Sequence, residues 1–254
     1  MIPVFYHVPK CAGTYVQNSA FHILNMQMHN CIRTYLQDQS NHTVAILIGP
    51  PTRRVKTRYV YQDYQEFKKQ MPIKNLQVKC LIICDQGFSI RQEILGIFKQ
   101  PQQQYMLLRH PYERAYSLYH YLTSNNSKHE PSHGSIQSKS FDQYLQSYEM
   151  EDSWLIRQLL NIEDNEIINQ QHFNNVCQIL DHIVIEDISN ADDLLKQMFG
   201  TNNRGNRPIY RNDSKSVQMR PPLSSFDQQI IDKFKERTIW DHKIYNHYVN
   251  KSQP

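Results

Sequence analysis

Lys10 lies in the segment Phe5-Tyr6-His7-Val8-Pro9-Lys10-Cys11-Ala12-Gly13-Thr14-Tyr15-Val16, whose residue types suit phosphate chemistry. The apolar run Ile2, Val4, Phe5 and Val8 reads as a strand that stops at Pro9. The small residues Cys11, Ala12 and Gly13 and the hydroxyl of Thr14 follow, and then a helix-like run through Leu24. A strand, a tight small-residue loop and a helix gather backbone N–H groups around an anion at the helix N-terminus. Small side chains let the anion reach the backbone, Gly13 can take a positive φ, and Lys10 adds a movable positive charge. The segment departs from the nucleotide loop G-x-x-x-x-G-K-[ST], because its lysine opens the turn and no glycine precedes it. Taken alone, it also fits an ordinary β-α turn.

Further along, Tyr105 to Tyr119 reads Tyr-Met-Leu-Leu-Arg-His-Pro-Tyr-Glu-Arg-Ala-Tyr-Ser-Leu-Tyr. Tyr105 to Leu108 is a short apolar strand with Arg109 at its C-terminal end. Pro111 suits the first turn of a helix, where Glu113 adds a negative charge near the positive end of the dipole. An arginine at a strand end can make a forked contact to a phosphate, and Ser117 can offer a hydroxyl to the same group. The competing interpretation has Glu113 and Arg114 paired on the surface and Ser117 as an incidental helix residue.

Together the two segments resemble the cofactor signatures of sulfotransferases that use 3'-phosphoadenosine 5'-phosphosulfate (PAPS). His7 to Tyr15 is similar to the 5'-phosphosulfate loop of the Golgi carbohydrate group, H-[IV]-P-K-[TC]-[AG]-G-T-[ST]. Arg109 to Tyr119 is similar to their 3'-phosphate motif R-[DN]-P-x-E-R-x-x-S-x-Y, with His110 in place of the usual acidic residue. Weaker echoes occur at Ser140–Leu145, Asp152–Leu159, Ile183–Asp187, Asn212–Ser214 and Trp240–Tyr245.

The resemblance implies one sulfotransferase domain over residues 1–254. Its fold would be α/β, three-layered around a central parallel sheet and like that of the P-loop NTPases. It implies PAPS as sulfuryl donor and PAP as product. Lys10, Cys11, Ala12, Gly13, Thr14 and Tyr15 would surround the 5'-phosphosulfate. Arg109 and Ser117 would hold the 3'-phosphate, and Lys215 would approach the cofactor from the C-terminal loop.

Sulfuryl transfer needs donor and acceptor in line and stabilised charge on the departing phosphate. Lys10 is the candidate stabiliser; with N–H donors it can act without a metal, and no carboxylate cluster suggests one. A hydroxyl acceptor also needs a general base. Related enzymes place a histidine in a pattern like G-H-x-x-F-S, and the matching stretch is Cys84-Asp85-Gln86-Gly87-Phe88-Ser89. Asp85 thus stands in the histidine's place as candidate base, or it only caps the following helix. The acceptor is a glycan or small-molecule hydroxyl, with an amine or a protein tyrosine still open. The alternative function is a catalytically inactive PAP- or glycan-binding module. A nucleotide kinase is disfavoured because no G-K-[ST] and no matching acidic strand end is present.

His7 and His110 read as packed rather than reactive. Arg157 either reaches the cleft or pairs on a helix surface. The run Arg53, Arg54, Lys56 and Arg58 fits an acidic polysaccharide or a solvated loop.

The elements that must position these residues are legible from periodicity. Val4–Val8, Val44–Ile48, Leu81–Cys84, Tyr105–Leu108 and Ile183–Ile185 read as strands separated by helix-length segments, which argues for parallel β-α-β units. Residues 123–140 and 201–222 read as irregular, and the former is a candidate border of the acceptor cleft. Phe226 to Trp240 carries apolar residues at helical spacing. A length of 254 residues suffices for one buried sheet, and a net charge of +4 is too small to argue for nucleic-acid binding. The five cysteines have no metal-type spacing, and Cys80 and Cys84 read as reduced core residues. No apolar run is long enough to span a membrane, and no signal pattern opens the chain. The expected location is cytoplasmic for a complete chain, or the Golgi lumen if an N-terminal anchor has been trimmed.

Overall fold

A computed structural model describes residues 1–24, 43–48, 77–84, 88, 91–98, 100–123, 136, 138–147, 153–200 and 220–250. The described strands are β1 (Ile2–His7), β2 (Thr43–Ile48), β3 (Gln77–Cys84), β4 (Gln102–Leu108) and β5 (Ile183–Asp187). They form one parallel sheet in the order β2-β3-β1-β4-β5. Val4 and Tyr6 of β1 stand beside Leu81 and Ile83 of β3, and Phe5 stands beside Tyr105 of β4. Each of the five apolar runs falls on one of these strands.

The described helices are α1 (Gly13–Ile23), α2 (Arg91–Ile97), α3 (Pro111–Thr123), α4 (Phe141–Gln146), α5 (Trp154–Leu160), α6 (Gln170–Leu180), α7 (Ala191–Phe199), α8 (Gln228–Arg237) and α9 (Ile239–Tyr248). Among the described side chains, β1, β3 and β4 are buried on both faces, as a parallel sheet needs, and successive strand residues serve opposite faces. Val4, Tyr6, Leu81, Ile83, Met106 and Leu108 pack with Leu155, Ile156, Val176, Leu180 and Ile244 of α5, α6 and α9. Phe5, Ile82, Tyr105 and Leu107 pack with Val16 of α1 and Leu194 and Leu195 of α7. Cys80 joins this second cluster, its thiol pushed up to about 12 by burial, which makes it a core residue in fact.

Several strands extend beyond their apolar runs, β3 starting at Gln77 and β5 ending at Asp187 among them, and two of the differing boundaries have visible reasons. β4 begins three residues before the apolar run, at glutamines that hydropathy alone does not assign to a strand. Gln102 donates its amide to Leu95 O and Phe98 O at the end of α2, and Gln104 accepts from the Tyr6 hydroxyl at 2.7 Å. The helical pattern from Phe226 to Trp240 is interrupted at Thr238, whose φ of −100° and ψ of 15° separate α8 from α9. The Thr238 hydroxyl donates to Phe234 O at 2.7 Å, a second donor beside the Thr238 N–H on the same carbonyl.

β1 is the centre of the sheet and the place where strand order reverses. α1, which follows β1, packs on one face, whereas α5 and α6, between β4 and β5, pack on the other. The crevice outside the C-terminal ends of β1 and β4 is therefore a topological switch point, where ligands of open α/β sheets bind.

Candidate functional site

At that crevice, β1 ends at His7 and the chain turns through residues 8–12 into α1. Cys11 N–H donates to Val8 O at 3.2 Å, closing the turn. Lys10 and Ala12 both adopt the left-handed backbone conformation, with φ of 62° and 57°. Neither is glycine, so the turn holds strain that its surroundings must maintain. α1 starts at Gly13 with no side-chain cap and no acidic residue in its first turn. The first N–H groups of any helix lack intrahelical partners, and together with the dipole they favour an anion.

Gly13 serves this turn differently from the expectation of a positive φ. The left-handed positions are Lys10 and Ala12, whereas a Cβ on Gly13 would lie 1.6 Å from His7 Cδ2. Gly13 is small because the His7 imidazole occupies the space beside its Cα. Burial, and secondly the Lys10 charge, holds the His7 pKa down at about 4, so this ring is neutral.

The second motif meets the first here. Arg109, which follows β4, keeps 12 % of its side chain exposed and donates from Nη1 to Lys10 O at 3.2 Å. Its Nε is buried, without a hydrogen-bond partner, 3.6 Å from Glu113 Oε2. Arg114, one turn into α3, donates from Nε to Pro9 O at 3.4 Å, and its guanidinium lies 5.3 Å from the Trp154 ring centre. Two arginines of one motif thus hold two successive carbonyls of the other.

Lys10 extends toward α3, with Nζ 4.5 Å from the ring centre of Tyr121. Burial lowers its pKa, the nearby Arg109 charge lowers it further, and Cys11 acts in the opposite direction. Thr14 is exposed at the start of α1. Tyr15 turns its side chain inward, where its hydroxyl donates to Asp192 Oδ1 of α7, so only its backbone faces the loop chemistry. The Cys11 thiol is buried and pushed up to about 11, chiefly by that burial. With the Cys11 N–H already committed to Val8 O, the expected cradle narrows to the N–H groups of Ala12, Gly13, Thr14 and Tyr15. Ser117 is half-buried in the second turn of α3.

Beneath the loop lies a cavity of about 40 Å³ whose lining includes Cys11, Arg109, Arg114, Trp154, Asp241 and Tyr245. It has room for a few waters at most and is too small for a nucleotide. Two of its lining residues are anchored by their neighbours, Ser153 N–H donating to Asp241 Oδ2 at 3.1 Å and the Tyr245 hydroxyl donating to Asp187 Oδ2 at 2.7 Å. His110 is packed, edge-on to His242 and Tyr245 at 5.1 and 5.4 Å. Arg157 donates to the carbonyls of Glu163 and Glu166, bracing the connection from α5 to α6.

Arg220 is a contact that the sequence reading missed. Its Nη1 is 2.6 Å from Glu113 Oε1, and its guanidinium lies 5.9 Å from the Tyr112 ring centre. A second guanidinium is thereby fixed beside Arg109 through one shared carboxylate. The only local signal was Glu113 four residues after Arg109; nothing in the sequence pairs it with Arg220.

Asp85, Lys215, the run at 53–58 and the segments 124–135 and 201–219 lie outside the described residues. Among the described residues, no group of three or more His, Cys, Asp or Glu is placed to hold a metal ion, and no helix is long and apolar enough to cross a membrane. No protein-family model matches the chain, and searches of curated proteins and of solved structures return no match.

Proposed function

We propose that this protein is a PAPS-dependent sulfotransferase, moving a sulfuryl group in line to a hydroxyl or amine acceptor on a glycan or small molecule. The observation that carries the reading is the 3.2 Å hydrogen bond from Arg109 to the carbonyl of Lys10, which joins residues 99 positions apart. Two segments that resemble the two phosphate signatures of one cofactor meet at the crevice between β1 and β4. The uncapped start of α1 and the Lys10 ammonium suit the 5'-phosphosulfate, and Arg109 with Ser117 suits the 3'-phosphate. In this scheme the acceptor oxygen or nitrogen bonds to sulfur as the sulfur–oxygen bond to the phosphate breaks, PAP leaves, and the acceptor's proton passes to a general base, for which Asp85 is the candidate in the sequence. Lys10 then faces the charge that develops on the departing phosphate.

The test separates this cofactor from other nucleotides. PAP at a hundredfold excess over its dissociation constant is expected to stabilise the protein by about 2.7 kcal/mol. Adenosine 5'-phosphosulfate, lacking the 3'-phosphate, is expected to stabilise it far less at equal concentration. Arg109→Ala should narrow that gap. Equal stabilisation of the unmodified chain by both ligands removes the 3'-site. Transfer of labelled sulfate from PAPS across a panel of acceptors then separates an enzyme from a PAP-binding module.

A further inference from the structure

We infer that Arg114 is a positioning residue that, with Arg109, holds residues 8–12 in the conformation that accepts an anion. The inference rests on the reading of this loop as a phosphate cradle and assigns the geometry of that cradle to the second motif. Lys10 and Ala12 sit in the left-handed region, which disfavours residues other than glycine. A turn of this kind persists only where contacts over-determine it.

Those contacts are specific. The Lys10–Cys11 peptide is pinned at both ends, its carbonyl accepting from Arg109 Nη1 and its N–H donating to Val8 O. The preceding carbonyl, of Pro9, accepts from Arg114 Nε. The two bonds hold the planar peptides on either side of Lys10, which fixes its left-handed φ and ψ and so the direction in which the chain enters α1. The Arg114 guanidinium is itself braced against Trp154, and Trp154 meets Phe88 edge-on at 5.8 Å. Arg114 therefore acts on the anion site through the loop, by way of a fixed planar donor. A lysine in its place would keep the charge and lose both the Nε bond and the guanidinium contact with Trp154.

The experiment compares the unmodified chain with Arg114→Leu and Arg114→Lys, each with and without Ala12→Gly. Binding of inorganic pyrophosphate and of PAP is measured by calorimetry, beside a ligand-free melting curve. Both Arg114 variants are expected to weaken both probes by roughly tenfold, the cost of one left-handed residue no longer held in place. Adding Ala12→Gly, which removes the strain of the turn's other left-handed residue, should restore affinity to within about threefold of the unmodified protein. A purely structural role would lower the melting temperature without this rescue.

Unmodified affinity in Arg114→Lys would show that charge alone matters and overturn the inference, as would a loss that Ala12→Gly leaves in place. Should Arg114→Leu fail to fold, the Lys variant alone decides. Pyrophosphate has no 3'-phosphate, so equal binding of PAP and adenosine 5'-phosphosulfate would end the sulfotransferase reading and leave the Arg114 comparison standing. Absence of any pyrophosphate or PAP binding to the unmodified chain would overturn both.

Discussion

Lys10 sits under two opposing demands. Burial and the Arg109 guanidinium both work against its proton, whereas an anion at the start of α1 would favour it. A charge held at some cost becomes favourable as negative charge develops nearby, so its effect should concentrate in the transition state. Lys10→Ala is expected to lower the single-turnover rate of sulfuryl transfer by about 10²–10³, the scale seen when one stabilising donor is removed. PAP affinity should fall much less, because the N–H groups of Ala12, Gly13, Thr14 and Tyr15 remain. Normal turnover with weaker PAP binding would make Lys10 an anchor only.

The unit formed by β1, its loop and α1 depends on one pairwise fit, between Gly13 and the His7 ring. Gly13→Ala would place a methyl 1.6 Å from His7 Cδ2, so the ring or the loop must move. Overpacking of this kind costs about 1–3 kcal/mol, and urea denaturation of Gly13→Ala should read a loss on that scale. Removing the ring with His7→Ala in the same chain should recover part of the loss; two independent losses that simply add would show that the two sites do not touch. The sequence made the loop legible because strand, small residues and helix are contiguous there. It marked Gly13 as special for the wrong physical reason, since a neighbour's ring leaves no trace in periodicity. Arg109 and Lys10 were each legible, but their hydrogen bond spans 99 positions and follows from the strand order, which apolar runs alone leave open. The ion pair of Arg220 with Glu113 was hidden for the same reason. Gln102 and Gln104 hid the start of β4, because their strand placement is supported by side-chain amides and not by hydropathy.

At the scale of the whole molecule, half-buried histidines lie beside both halves of the crevice. His7 supports the loop after β1, while His110 and His242 meet behind Arg109, where α9 packs near the ends of β4 and β5. Burial is the leading cause that lowers all three pKa values, to about 4 for His7 and for His242. For His242, the neighbouring His110 and then Lys235 lower it further. An unfolded histidine titrates near 6.5, so below that pH the unfolded chain takes up protons that the folded chain refuses. Stability should therefore be level above about pH 7 and fall as the pH drops from 6.5 toward 4. For His7 alone the complete shift corresponds to on the order of 3 kcal/mol, of which about 2 kcal/mol is lost by pH 5. Urea denaturation at pH 7.5 and pH 5 reads this difference, and His7→Gln, which cannot titrate, should reduce it by about that amount. The same experiment with PAP present separates fold from site, since a ligand that binds only the folded chain raises stability at both pH values. An unchanged pH dependence in His7→Gln would mean that His7 titrates as it does in the unfolded chain. The ring would then be open to solvent, and the packing that makes Gly13 necessary would not exist.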